Sequence, residues 1–153
     1  MSKTDLIKIE KDWKLITTSG NKLVTEKTIV AITNYENALK KDEVLMENQM
    51  KCINFGIPVM PIFLISCNNL VQAYMVIGKW DMADKMAQRG LFYILHLCSQ
   101  NLHPQASKKL CKWIVKQIAL YKEFAFRSKQ PTKFLELLKN LEKNENYCML
   151  MLK

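Results

Sequence analysis

Residues 70–91 read LVQAYMVIGKWDMADKMAQRGL, and the rest of the chain is organised around them. Leu70, Tyr74 and Ile77 recur at intervals of three and four, so they share one helical face. Gly78 stands where that helix should stop, because glycine reaches the left-handed backbone of a helix C-cap at little steric cost. Asp81 follows in the first turn of a second helix, near the positive end of its dipole. Ala83, Ala87 and Gly90 are small and line one face of that helix, which lets the first helix approach closely. The product is a tight antiparallel αα-hairpin, and the class it predicts is all-α.

The full set of offsets, Leu70, Tyr74, Gly78, Trp80, Ala83, Ala87 and Gly90, resembles one tetratricopeptide repeat. A second, weaker resemblance lies in residues 13–39. There Ala31, Ile32, Tyr35, Ala38 and Leu39 match the second helix of the repeat and Ser19 its small first-helix residue, while Glu26 replaces the inter-helix glycine and Lys22 the aromatic. The resemblance implies about six antiparallel helices in three hairpins, stacked as a right-handed superhelix over a single domain, 1–153. It also implies protein binding, in a groove lined by first helices where asparagine holds a partner's backbone or carboxylate. Asn68, Asn69, Gln72 and Met75 are the candidates, since an amide side chain offers both a donor and an acceptor. Asn68 and Asn69 serve equally well as groups that satisfy backbone near a helix contact. No basic residues that would complete a terminal-carboxylate clamp lie nearby; Lys79 is at the turn.

Outward from the hairpin, Thr4 is a fair N-cap for a first helix carrying Leu6, Ile9, Trp13 and Ile16 on one face. Ser19-Gly20-Asn21 could end it, but the repeat register argues for continuation to about Thr25. From Thr28 one long helical pattern runs through Leu45, Met46, Met50 and Ile53 to Gly56. Ala31 and Ala83 stand 52 residues apart, whereas a tandem array would give ~34, so the stack is irregular. Pro58 and Pro61 suit the first turn of the next helix, where a missing N–H costs nothing; that helix turns Ile62, Ile65, Leu70 and Tyr74 towards the core. The helix after Gly78 continues through Phe92, Ile94, Leu95 and Cys98 and stops in SQNLH. Pro104 opens a fifth, with Leu110, Trp113, Ile114, Gln117, Leu120, Tyr121 and Phe124 at helical spacing, ending before Pro131. A sixth carries Phe134, Leu135, Leu138 and Leu141. The tail NENYCMLMLK is apolar and uncapped, so it packs back or meets a partner, and 146–153 are the candidate for a flexible end.

At 153 residues the chain suits one domain, able to bury about 68–70% of the surface exposed when unfolded. Apolar residues make up 49% of it, with only four glycines and four prolines, a balance that fits a compact helical protein rather than a disordered or β-rich one. Cys52, Cys67, Cys98, Cys111 and Cys148 are odd in number, scattered and never spaced as CxxC, so they read as reduced thiols rather than a disulfide framework or zinc site. The opening MSKTDLIKIEKDWK lacks the apolar region of a secretory signal. The most apolar run, IPVMPIFLIS, meets Asn68 and Asn69 well short of the ~20 residues of a membrane span. The expectation is a soluble cytoplasmic protein with no membrane contact. Its net charge of +9 is uneven, for residues 101–153 hold 11 Lys/Arg against 4 Asp/Glu, and residues 1–100 hold 12 against 10. Such asymmetry suits an acidic protein or nucleic-acid partner, and equally a solubility device.

Catalytic chemistry is not signalled. His96 lies among Leu95, Leu97 and Cys98, His103 precedes Pro104, and neither has the base oriented by a third group that nucleophilic catalysis needs. A thiol enzyme built on Cys67 or Cys98 would require an activated thiolate. Gly20, Gly56, Gly78 and Gly90 are isolated, so no phosphate-binding loop is present, and neither cofactor nor metal is expected. Met46, Met50, Met60, Met75, Met82, Met86, Met149 and Met151, with Trp13, Trp80 and Trp113, read first as core, and second as the lining of an adaptable groove. Lys108, Lys112 and Lys116, four apart with Lys109 beside them, form one basic stripe. A solvated face is its ordinary reading; nucleic-acid binding there would be phosphate contact without base readout. The combined expectation is a non-catalytic adaptor or chaperone that binds a segment of a partner protein, with a homodimer also open. The alternative is a nucleic-acid-associated protein using the lysine-rich C-terminal third.

Overall fold

The computed structural model describes residues 1–100 and 104–143, the backbone alone at 104–107. His103, Cys148 and the tail 144–153 lie outside the described residues. Among these residues are seven α-helices and no strand: α1 Lys3–Leu23, α2 Thr28–Glu47, α3 Gln49–Asn54, α4 Val59–Val76, α5 Trp80–Gln100, α6 Pro104–Arg127 and α7 Pro131–Lys143. The fold is all-α. The chain divides into two compact units, Met1–Ala83 and a second beginning at Asp84.

In the first unit the cap of α1 lies two residues before Thr4. Ser2 is its N-cap, accepting from the Asp5 N–H at 3.2 Å, while the Asp5 carboxylate accepts from the Ser2 N–H at 3.1 Å. α1 then continues through Ser19-Gly20-Asn21 to Leu23. It packs on α2 in the opposite direction: Asp12 pairs with Lys41 at 3.9 Å, and further along α1 Asn21 Oδ1 accepts from the Tyr35 hydroxyl at 2.7 Å. Gly20 is buried at this crossing, against the Tyr35 ring.

The single helix expected from Thr28 to Gly56 is two helices, which makes the number seven rather than six. The Asn48 side-chain amide donates to the Val44 carbonyl at 2.9 Å, and its backbone leaves helical geometry at φ −113°. This side-chain competition for helix carbonyls ends α2. α3 stops at Gly56, φ +76°, where Gly56 N–H bonds the Ile53 carbonyl and Ile57 N–H the Cys52 carbonyl. α4 follows, with Pro58 just outside its start and Pro61 in its first turn. It is long and apolar enough to cross a membrane by composition, with mean hydropathy 1.4, yet 61% of it is buried. Two hydrogen bonds hold it: Trp13 Nε1 to Ser66 Oγ at 2.8 Å, and Tyr74 hydroxyl to Glu36 Oε1 at 2.8 Å. Burial, then Glu36, pushes the Tyr74 hydroxyl above the ordinary tyrosine range. α4 ends at Gly78, φ +72°, where Gly78 N–H reaches the Met75 carbonyl and Lys79 N–H the Tyr74 carbonyl, a Schellman cap. Leu6, Trp13, Leu45, Cys52, Ile57 and Ile62 fill the core at one end.

In the second unit α6 and α7 form a hairpin. α6 buries Leu110, Ile114, Gln117, Tyr121 and Phe124, and α7 buries Leu137 and Leu141. The same Schellman pattern ends α6, with Lys129 N–H on the Phe126 carbonyl and Gln130 N–H on the Ala125 carbonyl. Here the left-handed position is Lys129, φ +60°, not glycine.

Two outcomes follow from this geometry. A Cβ at Gly20 would stand 2.7 Å from Tyr35 Cε1, and that ring is 2% exposed and tethered to Asn21. Gly20→Ala is therefore expected to destabilise by about 1–2 kcal/mol in urea unfolding, although Gly→Ala within a helix ordinarily gains about 1 kcal/mol. Lys129→Gly removes a left-handed side chain and is expected to raise stability by about 1 kcal/mol, read as a higher urea midpoint at unchanged slope.

Candidate functional site

Three arrangements hold the polar and exposed chemistry of the molecule. The first is the outer stripe of α4. Gln72 is exposed, and Asn68 and Asn69 are half-buried, so those three reach solvent in part. Met75 does not; it is 2% exposed and continues the buried line of Leu64, Cys67 and Val71, so its place in a partner-binding set is corrected. The apolar members of the stripe are instead Ile65, 36% exposed, and Val76, 60% exposed. Ile65, Asn69, Gln72 and Val76 recur at steps of four, three and four, one line along the helix. Val76 and Met75 are adjacent in sequence, and only the packing of α4 decides which one turns outward.

The second is α6. Lys108, Lys109, Lys112 and Lys116 are all exposed. Lys116 Nζ lies 4.9 Å from the centroid of the Trp113 ring. Trp113, half-buried, is therefore a ledge beside the stripe rather than a core residue.

The third was not legible in advance. Asp84 on α5 accepts from Gln88 Nε2 at 2.8 Å and from the Tyr121 hydroxyl at 2.9 Å through Oδ1, and from Lys133 Nζ at 2.8 Å through Oδ2. Its side chain is 14% exposed and that of Lys133 32%. Burial by itself raises the Asp84 carboxyl, but hydrogen bonds from Lys133, Gln88 and Tyr121 outweigh it and hold the group below the usual range. Burial, and then Asp84, pushes the Tyr121 hydroxyl up. Beside this network opens a cleft of about 180 Å³, lined also by Phe92, Glu136 and Asn140. Both Asp84 oxygens are engaged, so the network ties α5, α6 and α7 together rather than offering a general base to the cleft. In the first unit a shallow apolar groove of about 300 Å³ lies between Ile53, Ile57 and Pro61.

Among the described residues no group of three His, Cys, Asp or Glu side chains is placed to hold a metal ion. Burial, with Cys111 adding to it, pushes the Cys98 thiol up to about 11, the direction opposite to thiolate activation.

The family described as "Protein of unknown function (DUF2753)" matches residues 11–149, and the chain belongs to it. No curated protein and no solved structure matches the chain.

The Asp84 network has a pH signature. A carboxyl depressed in the folded state adds stability that is present above its unfolded pKa, near 3.9, and is lost as pH falls through the folded value. Asp84→Asn is expected to cost about 2 kcal/mol at neutral pH. Its deficit against the parent should shrink in urea melts at pH about 3, and a deficit independent of pH would contradict the assignment.

Proposed function

We propose that this member of the DUF2753 family is a non-catalytic protein-binding module, an adaptor or chaperone of the cytoplasm built on tetratricopeptide-like hairpins. In this reading the outer stripe of α4 receives a segment of the partner. The observation that carries it is the line Ile65, Asn69, Gln72 and Val76, exposed in whole or part on a helix whose other faces are core. Amide side chains there donate to and accept from a peptide backbone, and the two flanking apolar side chains supply burial of about 25 cal/mol per Å². Because α4 is held from behind by Trp13 and Glu36, the stripe is rigid before the partner arrives, which lowers the entropic cost of binding.

Further support for the repeat-like hairpin comes from Leu70 and Ala83, 1% and 0% exposed, and from left-handed Gly78. Cys52, Cys67 and Cys98 are buried outside any disulfide, which suits a reducing compartment.

Affinity capture with the full chain from native lysate, nuclease-treated and washed at low and moderate salt, tests the proposal. A discrete protein is expected to co-purify with the parent and to be lost with Gln72→Arg and Val76→Arg, both folded by circular dichroism. Recovery of nucleic acid alone, or a protein retained equally by both variants, would overturn the assignment to α4.

A further inference from the structure

α6 carries two heptad-spaced lines on opposite sides. The inner line, Leu110, Ile114, Gln117, Tyr121 and Phe124, steps by four, three, four and three, and every member is buried. The outer line, Lys108, Lys112, Val115, Ala119, Lys122 and Phe126, keeps the same stepping, and every member is exposed. Val115 is 67% exposed and Phe126 56%. Over its length of about 27 Å this outer line holds three lysines and three apolar side chains, with Lys112 and Lys122 on either side of Val115 and Ala119.

We infer that the outer face of α6 is a second docking surface, and that its occupant is an acidic amphipathic helix of a partner protein.

Charge sets the sign of the occupant. α6 holds six Lys/Arg and one acid, Glu123, which pairs with Arg127 at 3.3 Å. Among the described residues Lys108 and Lys112 form no ion pair, and Lys122 lies 5.9 Å from the Phe134 ring centroid rather than against a carboxylate. Lysines four apart on one helix face repel each other, and carboxylates brought opposite them relieve that repulsion. The apolar members set the class. Val115, Ala119 and Phe126 gain nothing from a phosphate backbone, but the leucines of a facing helix would cover them in knobs-into-holes fashion. The lysine stems add apolar cover while their ammonium groups stay in water. The stepping itself is that of a helix-to-helix seam. These residues differ from the α4 stripe, so the two readings stand or fall separately.

The probe is a labelled synthetic helix with leucine at its a and d positions and glutamate at e and g, titrated with the full chain by fluorescence anisotropy. Oligothymidylate and vesicles of anionic phospholipid are titrated in parallel. Binding of the peptide should weaken as salt rises. Lys112→Glu and Val115→Ser should each weaken it by about tenfold, with Phe126→Ser as a second apolar variant. Gln72→Arg should bind the peptide like the parent, which keeps failure of the α4 reading distinct. No binding of the peptide, or apolar variants that bind it undiminished, would overturn the inference. So would tighter retention of oligothymidylate or vesicles that Lys112→Glu abolishes and Val115→Ser spares.

Discussion

An α4 of mean hydropathy 1.4 must be covered in water, and the first unit is arranged to cover it. α1 and α2 form the hairpin that does so, with α2 packed along α4 and Trp13 of α1 reaching Ser66. Ser66 is 1% exposed, and its hydroxyl would be costly to bury without the indole N–H that it accepts. The limits of α4 are set from outside by two left-handed glycines. Gly56 turns the chain just before it and Gly78 just after, each closing the preceding helix with paired N–H to carbonyl bonds.

The second unit joins its helices with polar chemistry. One carboxylate, Asp84, receives three donors from α5, α6 and α7, and the lysine among them also lies 5.8 Å from the Phe124 ring centroid. Partial burial makes these bonds stronger than their exposed counterparts and makes each partner depend on the others. The turn into α7 accepts a lysine in left-handed backbone, a strain that the two capping hydrogen bonds offset.

What could be read in advance was local. Gly78 as a stop and Pro104 as a start depend on backbone conformation within a few residues, and residue type announces that; the continuation of α1 through Gly20 ran against residue type and came from the register of the repeat resemblance. Asn48 did not announce its break, because asparagine is tolerated inside helices and the break lies in one side-chain bond to Val44. The capping box of Ser2 and Asp5 was present in the sequence as a spacing, and Thr4 obscured it. Lys108, Lys112 and Lys116 were legible as a stripe; Val115 and Phe126 beside them were not, since an apolar residue in a helix reads first as core. Asp84 and Lys133 are 49 positions apart with no periodicity between them, so only the folded chain brings them together. The outward turn of Val76 rather than Met75 is likewise a result of packing.

On both α4 and α6 the fold consumes one line of side chains and leaves the other to solvent. Changes on the outer lines therefore cost the fold little, and their composition is free to answer to a partner. Exposed apolar residues such as Ile65, Val76, Val115 and Phe126 would ordinarily invite self-association. The net charge of +9 works against it, because two copies repel as they approach. On α6 the repulsion is also local: pairing two outer seams would set lysine against lysine, whereas a helix of glutamates meets the same seam with its charges matched. Lys112 and Lys122, on either side of Val115 and Ala119, thus disfavour a second copy of this chain on the seam and suit the acidic helix inferred for it.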